Sequence, residues 1–169
     1  GNTTVYSDLD PDLSIGTTTL EYRLGLGVWN TISSGTPTNG NYSSNFIPPS
    51  AGTYEIRATW SGNENYTQTV PDQVVLTVNK KSSTLTVDTD PVSILIKDNT
   101  TINVTINPPS ILPNPNVTIQ YSLDGGIWTN ITSQIMSGGT LIYDWYPPFA
   151  GSYLIRAIWG GNSNYTGDR

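Results

Sequence analysis

Eight of the chain's sixteen asparagines begin an Asn-x-Ser/Thr tripeptide in which x is not proline: Asn2, Asn41, Asn65, Asn99, Asn103, Asn116, Asn130 and Asn164. This tripeptide is the acceptor for N-linked glycans, which are bulky and solubilising. With Ser and Thr at 41 of 169 residues, chance gives about 4 such tripeptides. The twofold excess points to glycosylation, and a Thr-rich composition is the competing explanation. Asn99 and Asn103 lie four residues apart. On one strand they would project from the same face, so only one of the two is expected to carry a glycan.

The other candidate chemistry is acidic. Asp8-Leu9-Asp10-Pro11-Asp12 alternates carboxylates along a turn-forming segment. Hard oxygen ligands of this kind suit Ca²⁺, but the Gly and Glu of an EF-hand loop are missing. A solvated loop is the stronger reading, and no resident metal or cofactor is expected. There is no His and no Cys. That removes imidazole triads, thiol nucleophiles, disulfides and zinc sites. No pair of carboxylates stands out for glycoside hydrolysis. The chain is therefore read as having no catalytic residue and as not being an enzyme.

Charge narrows the partners. Seven Lys and Arg against thirteen Asp and Glu leave a net charge of -6, so neither nucleic acid nor an anionic membrane is expected as a partner. No apolar run approaches the roughly 18 residues that would span a bilayer as a helix.

The elements that carry these residues occur twice. Pro48-Pro49-Ser50-Ala51-Gly52-Thr53-Tyr54-Glu55-Ile56-Arg57-Ala58-Thr59-Trp60 returns 99 residues later as Pro147-Pro148-Phe149-Ala150-Gly151-Ser152-Tyr153-Leu154-Ile155-Arg156-Ala157-Ile158-Trp159. The same offset aligns Gly62-Asn63-Glu64-Asn65-Tyr66-Thr67 with Gly161-Asn162-Ser163-Asn164-Tyr165-Thr166, and Tyr22, Trp29 and Ile32 with Tyr121, Trp128 and Ile131. No gap is needed, which marks an internal duplication.

The periodicity within each copy is two. Tyr54, Ile56, Ala58 and Trp60 alternate with Glu55, Arg57 and Thr59, as in a strand with one buried face. Segments 73–79, 83–88, 101–106, 117–123 and 140–145 read the same way, and Gly- and Pro-rich turns separate them. The chain is thus predicted to be all-β, with antiparallel sandwiches and no helix. The Ala-Gly-x-Tyr-x-Ile segments look like the tyrosine corner of immunoglobulin-type sandwiches, with Ile56 and Ile155 where such domains place a disulfide cysteine.

The pattern Tyr-x-Leu-Asp-Gly-Gly-x-Trp-x-x-Ile, followed by Pro-Pro-x-Ala-Gly-x-Tyr-x-Ile-Arg-Ala-x-Trp-x-Gly-Asn-x-Asn-Tyr, resembles the Ig-like domain repeats of prokaryotic, especially archaeal, cell-surface proteins. The resemblance covers most of both copies, and the first copy departs from it at Gly25-Leu26-Gly27. It implies two tandem immunoglobulin-like β-sandwich domains, 1–79 and 80–169, in an exported, extracellular protein. Residues 82–99 would supply the first strand of the second domain, split in two at Pro91, and have no counterpart ahead of Gly1. Residues 73–78 would supply a last strand that the second domain lacks. So the first domain would lack its A strand and the second its G strand. Two readings follow: a window cut from a longer repeat protein, or subunits that donate strands to each other.

The implied role is structural: a repeat unit of an N-glycosylated filament, stalk or surface coat. Its partners would be copies of itself, or neighbouring Ig-like domains, and covalent glycans. The alternatives are an adhesin or carbohydrate-binding module of a larger surface protein, and a non-catalytic module of a surface hydrolase. One further expectation concerns association. The outward positions Glu55 and Thr59 become Leu154 and Ile158 in the second copy, and two apolar side chains on a solvated face mark a contact surface.

Overall fold

A computed structural model describes residues 1–69 and 72–169. The backbone divides into two compact units, Gly1–Lys80 and Lys81–Arg169. Among the described residues both are built only of strands and irregular segments.

The first unit holds β1 (Thr3–Asp8), β2 (Thr18–Leu24), β3 (Asn30–Gly35), β4 (Asn41–Phe46), β5 (Gly52–Trp60) and β6 (Asp72–Val78). β1 pairs with β4 as one sheet, and the order β3-β2-β5-β6 forms the other. The second unit holds β7 (Thr84–Asp90), β8 (Thr100–Asn107), β9 (Asn116–Leu123), β10 (Thr129–Ile135), β11 (Thr140–Trp145), β12 (Tyr153–Gly161) and the short β13 (Thr166–Asp168). Its sheets run β11-β8-β7 and β10-β9-β12-β13. Every pairing between these strands is antiparallel.

Each unit closes its core between its two sheets. Val5 and Phe46 from one sheet meet Leu20, Tyr54 and Ile56 from the other in the first unit. In the second, Ile102, Val104, Ile106, Leu141 and Trp145 meet Val117, Ile119, Ala157 and Trp159. Strict alternation along β8 places Ile102, Val104 and Ile106 inside and Asn103 and Thr105 outside, as a sheet with one wet face requires.

The Tyr54 hydroxyl donates to the Ser50 carbonyl at 2.8 Å, and Tyr153 does the same to Phe149 at 2.7 Å. Each bond ties the start of a long strand to the chain four residues upstream.

A bulge recurs. The register shifts between Asn130 and Thr132 on β10, skipping Ile131, and in β3 the pairing skips Ile32. Both isoleucines pack on their unit's core, because the extra residue of a bulge changes which face a side chain reaches.

One expectation fails. Residues 92–96 are not a second half of the first strand: β7 ends at Asp90, and the chain beyond Pro91 runs in bends and turns until β8. Val92, Leu95 and Ile96 are exposed. The physical reason lies in pairing. A strand needs a partner edge. β8 takes β7 only from Thr84 to Asp90. Although residues 92–96 share a cleft with Tyr153 and Ile155 of β12, β12 pairs only with β9 and β13 among the described strands.

Asp168 links two strands of the second unit. Its carboxylate accepts the Leu85 N–H at 2.7 Å. That hydrogen bond, then one from the Arg169 backbone, holds its pKa below the ordinary 3.8, and a slight desolvation works the other way. A depressed folded-state pKa stabilises above the ordinary value, and the contribution fades as pH falls through the lowered one. We expect the Leu85 amide resonance to titrate with a midpoint below about 3.9, and Asp168→Asn to abolish that titration. A midpoint at or above the ordinary carboxylate value would contradict the assignment.

Candidate functional site

Six of the eight sequon asparagines are exposed: Asn2, Asn41, Asn65, Asn103, Asn116 and Asn130. Asn99 and Asn164 are half-buried. Asn103 faces out from the middle of β8, opposite Asp88 and Ile142.

The repeated Gly-Asn-x-Asn-Tyr-Thr segment forms the same turn in both units. The Asn63 side-chain oxygen accepts the N–H groups of Asn65 and Tyr66, at 2.8 and 2.9 Å. Asn162 does the same for Asn164 and Tyr165. The preceding Gly62 and Gly161 have φ of 76° and 83°. A Cβ on Gly161 would lie 2.6 Å from the Tyr165 carbonyl oxygen, so only glycine fits there.

The surroundings of the two turns differ. In the second unit the Lys81 N–H donates to the Asn164 carbonyl, and the Thr166 N–H to the Lys81 carbonyl, at 2.8 and 2.9 Å. Chain entering β7 therefore crosses the turn and covers part of Asn164.

The acidic loop does not gather its carboxylates. Asp8 ends β1 and pairs with Asn41, while Asp12 approaches Gly40. Among the described residues, no three His, Cys, Asp or Glu side chains lie close enough together to hold a metal.

On the outer face of β2 and β5, Arg23 pairs with Glu55 and Arg57 with Glu21, at 2.5 and 2.7 Å. Both guanidinium groups lie over Trp29, with Arg57 4.1 Å from the ring centroid. The second unit keeps half of this ladder. Arg156 sits 3.9 Å over Trp128 and donates to Gln120. Ser122 and Leu154 replace the Arg23–Glu55 pair at the 99-residue offset. Leu154 is 57% exposed, while Ile158 is half-buried. Both lie on the face of β12 that carries Arg156. Asn130 borders this face, its side-chain oxygen accepting from Gln120 at 2.7 Å.

Among the described residues, two sheet edges are open in complementary ways. β8 is flanked by β11 and β7, but β1 is flanked only by β4. β5 is paired with β6 from Gly52 to Ala58. The matching edge of β12 meets only β13, at Trp159 and Gly161. β13 is not the counterpart of β6: it matches residues 67–69, where Thr69 likewise bonds Trp60. Beside β1 lies a cleft of about 590 Å³ that no local stretch of sequence announces, lined by Val5, Ile56, Ala58, Trp60, Val74 and Leu76 among others.

Neither a scan against protein-family models nor a search of curated proteins found a match to this chain.

Proposed function

We propose that the chain is a structural repeat unit of an extracellular, N-glycosylated cell-surface filament, stalk or coat, made of two immunoglobulin-like modules. The observation that carries this reading is the duplication itself. The strand order of β1–β5 is rebuilt as β8–β12, with β2, β3 and β5 in the register of β9, β10 and β12, the same bulge and the same tyrosine hydroxyl bond four residues upstream. Modules repeated at a fixed period build length, because each unit carries its own core and adds one more rigid step. Among the described residues no strand lies on the far side of β1, and β12 meets only β13 on its open edge. In this reading neighbouring modules complete both sheets, by strand donation where the neighbour is another subunit. Glycans on the exposed sequons coat a chain poor in charge and shield its edges.

The test is negative-stain electron microscopy of native material beside intact glycopeptide mass spectrometry. Ordered fibres carrying sugar support the reading, and glycan-free monomers overturn it. Occupancy should differ between the matched sequons. Asn65 is exposed and Asn164 is partly covered by the Lys81 segment, so we expect higher occupancy at Asn65. Equal or reversed occupancy would argue that glycans are added before the turn is tied to Lys81.

Leu154 and Ile158 form the contact face of the second module. Changing both to Thr should leave the melting temperature nearly unchanged, since Leu154 is already largely in water. It should weaken self-association about tenfold, the worth of roughly 1.4 kcal/mol of apolar contact. Sedimentation velocity reads the outcome, and unchanged association removes the face from the assembly. A glycan on Asn130 would occupy the border of this same face, so occupancy there should anticorrelate with association.

A further inference from the structure

The cleft beside β1 has a template for its occupant inside the same chain. Paired with β4, β1 holds Val5 and Ser7 where β8, paired with β11, holds Ile102 and Val104, because Asp8 meets Asn41 as Thr105 meets Thr140. On the open side of β8 lies β7, which sends Leu85 and Val87 against the core and runs beside β12 and β13. On the equivalent side of β1 lies the cleft, walled by β1, β5 and β6. Its apolar lining is already turned inward. Val74 pairs with the buried Ile56, so it stands on the core-facing side of β6. Even so it is 58% exposed, because none of the described residues covers it. Ser7, standing where β8 has Val104, tempers the apolar surface left open and leaves more room than a valine would.

We propose that this cleft and the free edge of β1 are the acceptor site for a β7-type strand from a neighbouring chain. The ligand class is an extended segment with two apolar side chains two residues apart and Thr or Ser between them. It lies antiparallel to β1. Its backbone completes the hydrogen bonding of the edge, and its alternate side chains supply specificity. The second unit sets the register. Leu85 stands opposite Ile106 and Val87 opposite Val104, and Leu9 donates to Gly40 where Ile106 donates to Gly139, so the donor Leu stands opposite Leu9 and the donor Val opposite Ser7. The inference rests on the repeat-polymer reading and names the joint through which one chain engages the next.

The probe is a synthetic peptide of residues 81–90, Lys-Ser-Ser-Thr-Leu-Thr-Val-Asp-Thr-Asp, added to the full chain and followed by amide hydrogen exchange. At saturation, exchange within Thr3–Asp8 should slow at least about tenfold. Exchange within Thr100–Asn107 should not change, which separates insertion at β1 from displacement of the resident β7. A peptide carrying Leu85→Asp and Val87→Asp should protect nothing. Absence of protection, or equal protection by the Asp peptide, overturns the proposal. So does protection seen only when the segment is fused ahead of Gly1, since that makes the donor a covalent neighbour. Fibres in native material without peptide binding would sink this joint and leave the polymer reading intact. Peptide binding by monomeric, glycan-free material would do the reverse.

Discussion

Tyr54→Ala lowers the stability of the first unit by about 3–5 kcal/mol and leaves the second unit at its original midpoint. Tyr54 is fully buried. Its ring packs edge-on to Phe46 at 5.7 Å and tilted against Tyr22 at 5.9 Å, so Ala leaves a ring-sized cavity between the two sheets. The hydroxyl adds a separate share. It donates to the Ser50 carbonyl and accepts the Ser50 N–H at 3.1 Å. Tyr54→Phe keeps the ring and strands both backbone groups, at a cost of about 1–2 kcal/mol. Tyr153→Phe should cost less, because the Tyr153 corner is more exposed and water can replace the lost partner. Urea unfolding followed by residue-resolved NMR separates the two units. If Tyr54→Phe proves neutral, the corner is packing alone and the hydrogen bonds contribute nothing net.

Extending the chain past Arg169 with a second copy of residues 71–79 raises the melting temperature of the second unit by roughly 10 °C. The duplication sets the register, because Val70 aligns with Arg169 and the next residue of the first copy is Pro71. In the first unit β6 covers β5 from Gly52 to Ala58. The copied strand would cover β12 from Gly151 to Ala157. There Tyr153 and Ile155 are only half-buried, and on the edge away from β9 no described strand pairs with them. Copies of Val74, Leu76 and Val78 would close over them, each worth about 1–2 kcal/mol as apolar area leaves water. Ordering the added backbone takes back much of this. A net gain of about 2 kcal/mol corresponds to a shift of 8–16 °C for a domain of this size. Scanning calorimetry measures the shift. The same extension with Val74→Asp and Leu76→Asp in the copied strand should give none. If both extensions behave alike, the open edge of β12 is not a strand-accepting site.

Much of the architecture was legible in the chain. Alternation in 54–60 and 101–106 marked one-sided strands. The 99-residue offset carried the order of β1–β5 over to β8–β12. The Ala-Gly-x-Tyr spacing anticipated hydroxyls that bond four residues upstream. Less of the candidate site was legible. Asn65 and Asn164 stand in identical local sequence, yet Lys81 bonds across only the second turn. Nothing within six residues of Asn164 could have shown it. Leu154 was visible as an apolar residue at an outward position. That its neighbour across the sheet had changed from Arg to Ser, removing the partner of a lost ion pair, needed the β9–β12 register.

The class of structure, the period of the duplication, the turns and the inventory of possible chemistry can be read along the chain. Each of these is a local property: two-residue alternation, the φ freedom of glycine, the absence of His and Cys. Four features emerge from the folded arrangement instead: which edges stand open among the described residues, that residues 92–96 join no sheet, that Ile32 and Ile131 reach the core through a bulge, and that Val74 lines an open cleft. Pairing decides all four. A strand's fate depends on a partner edge tens of residues away, and the free energy of that partnership is written in no short stretch of chain.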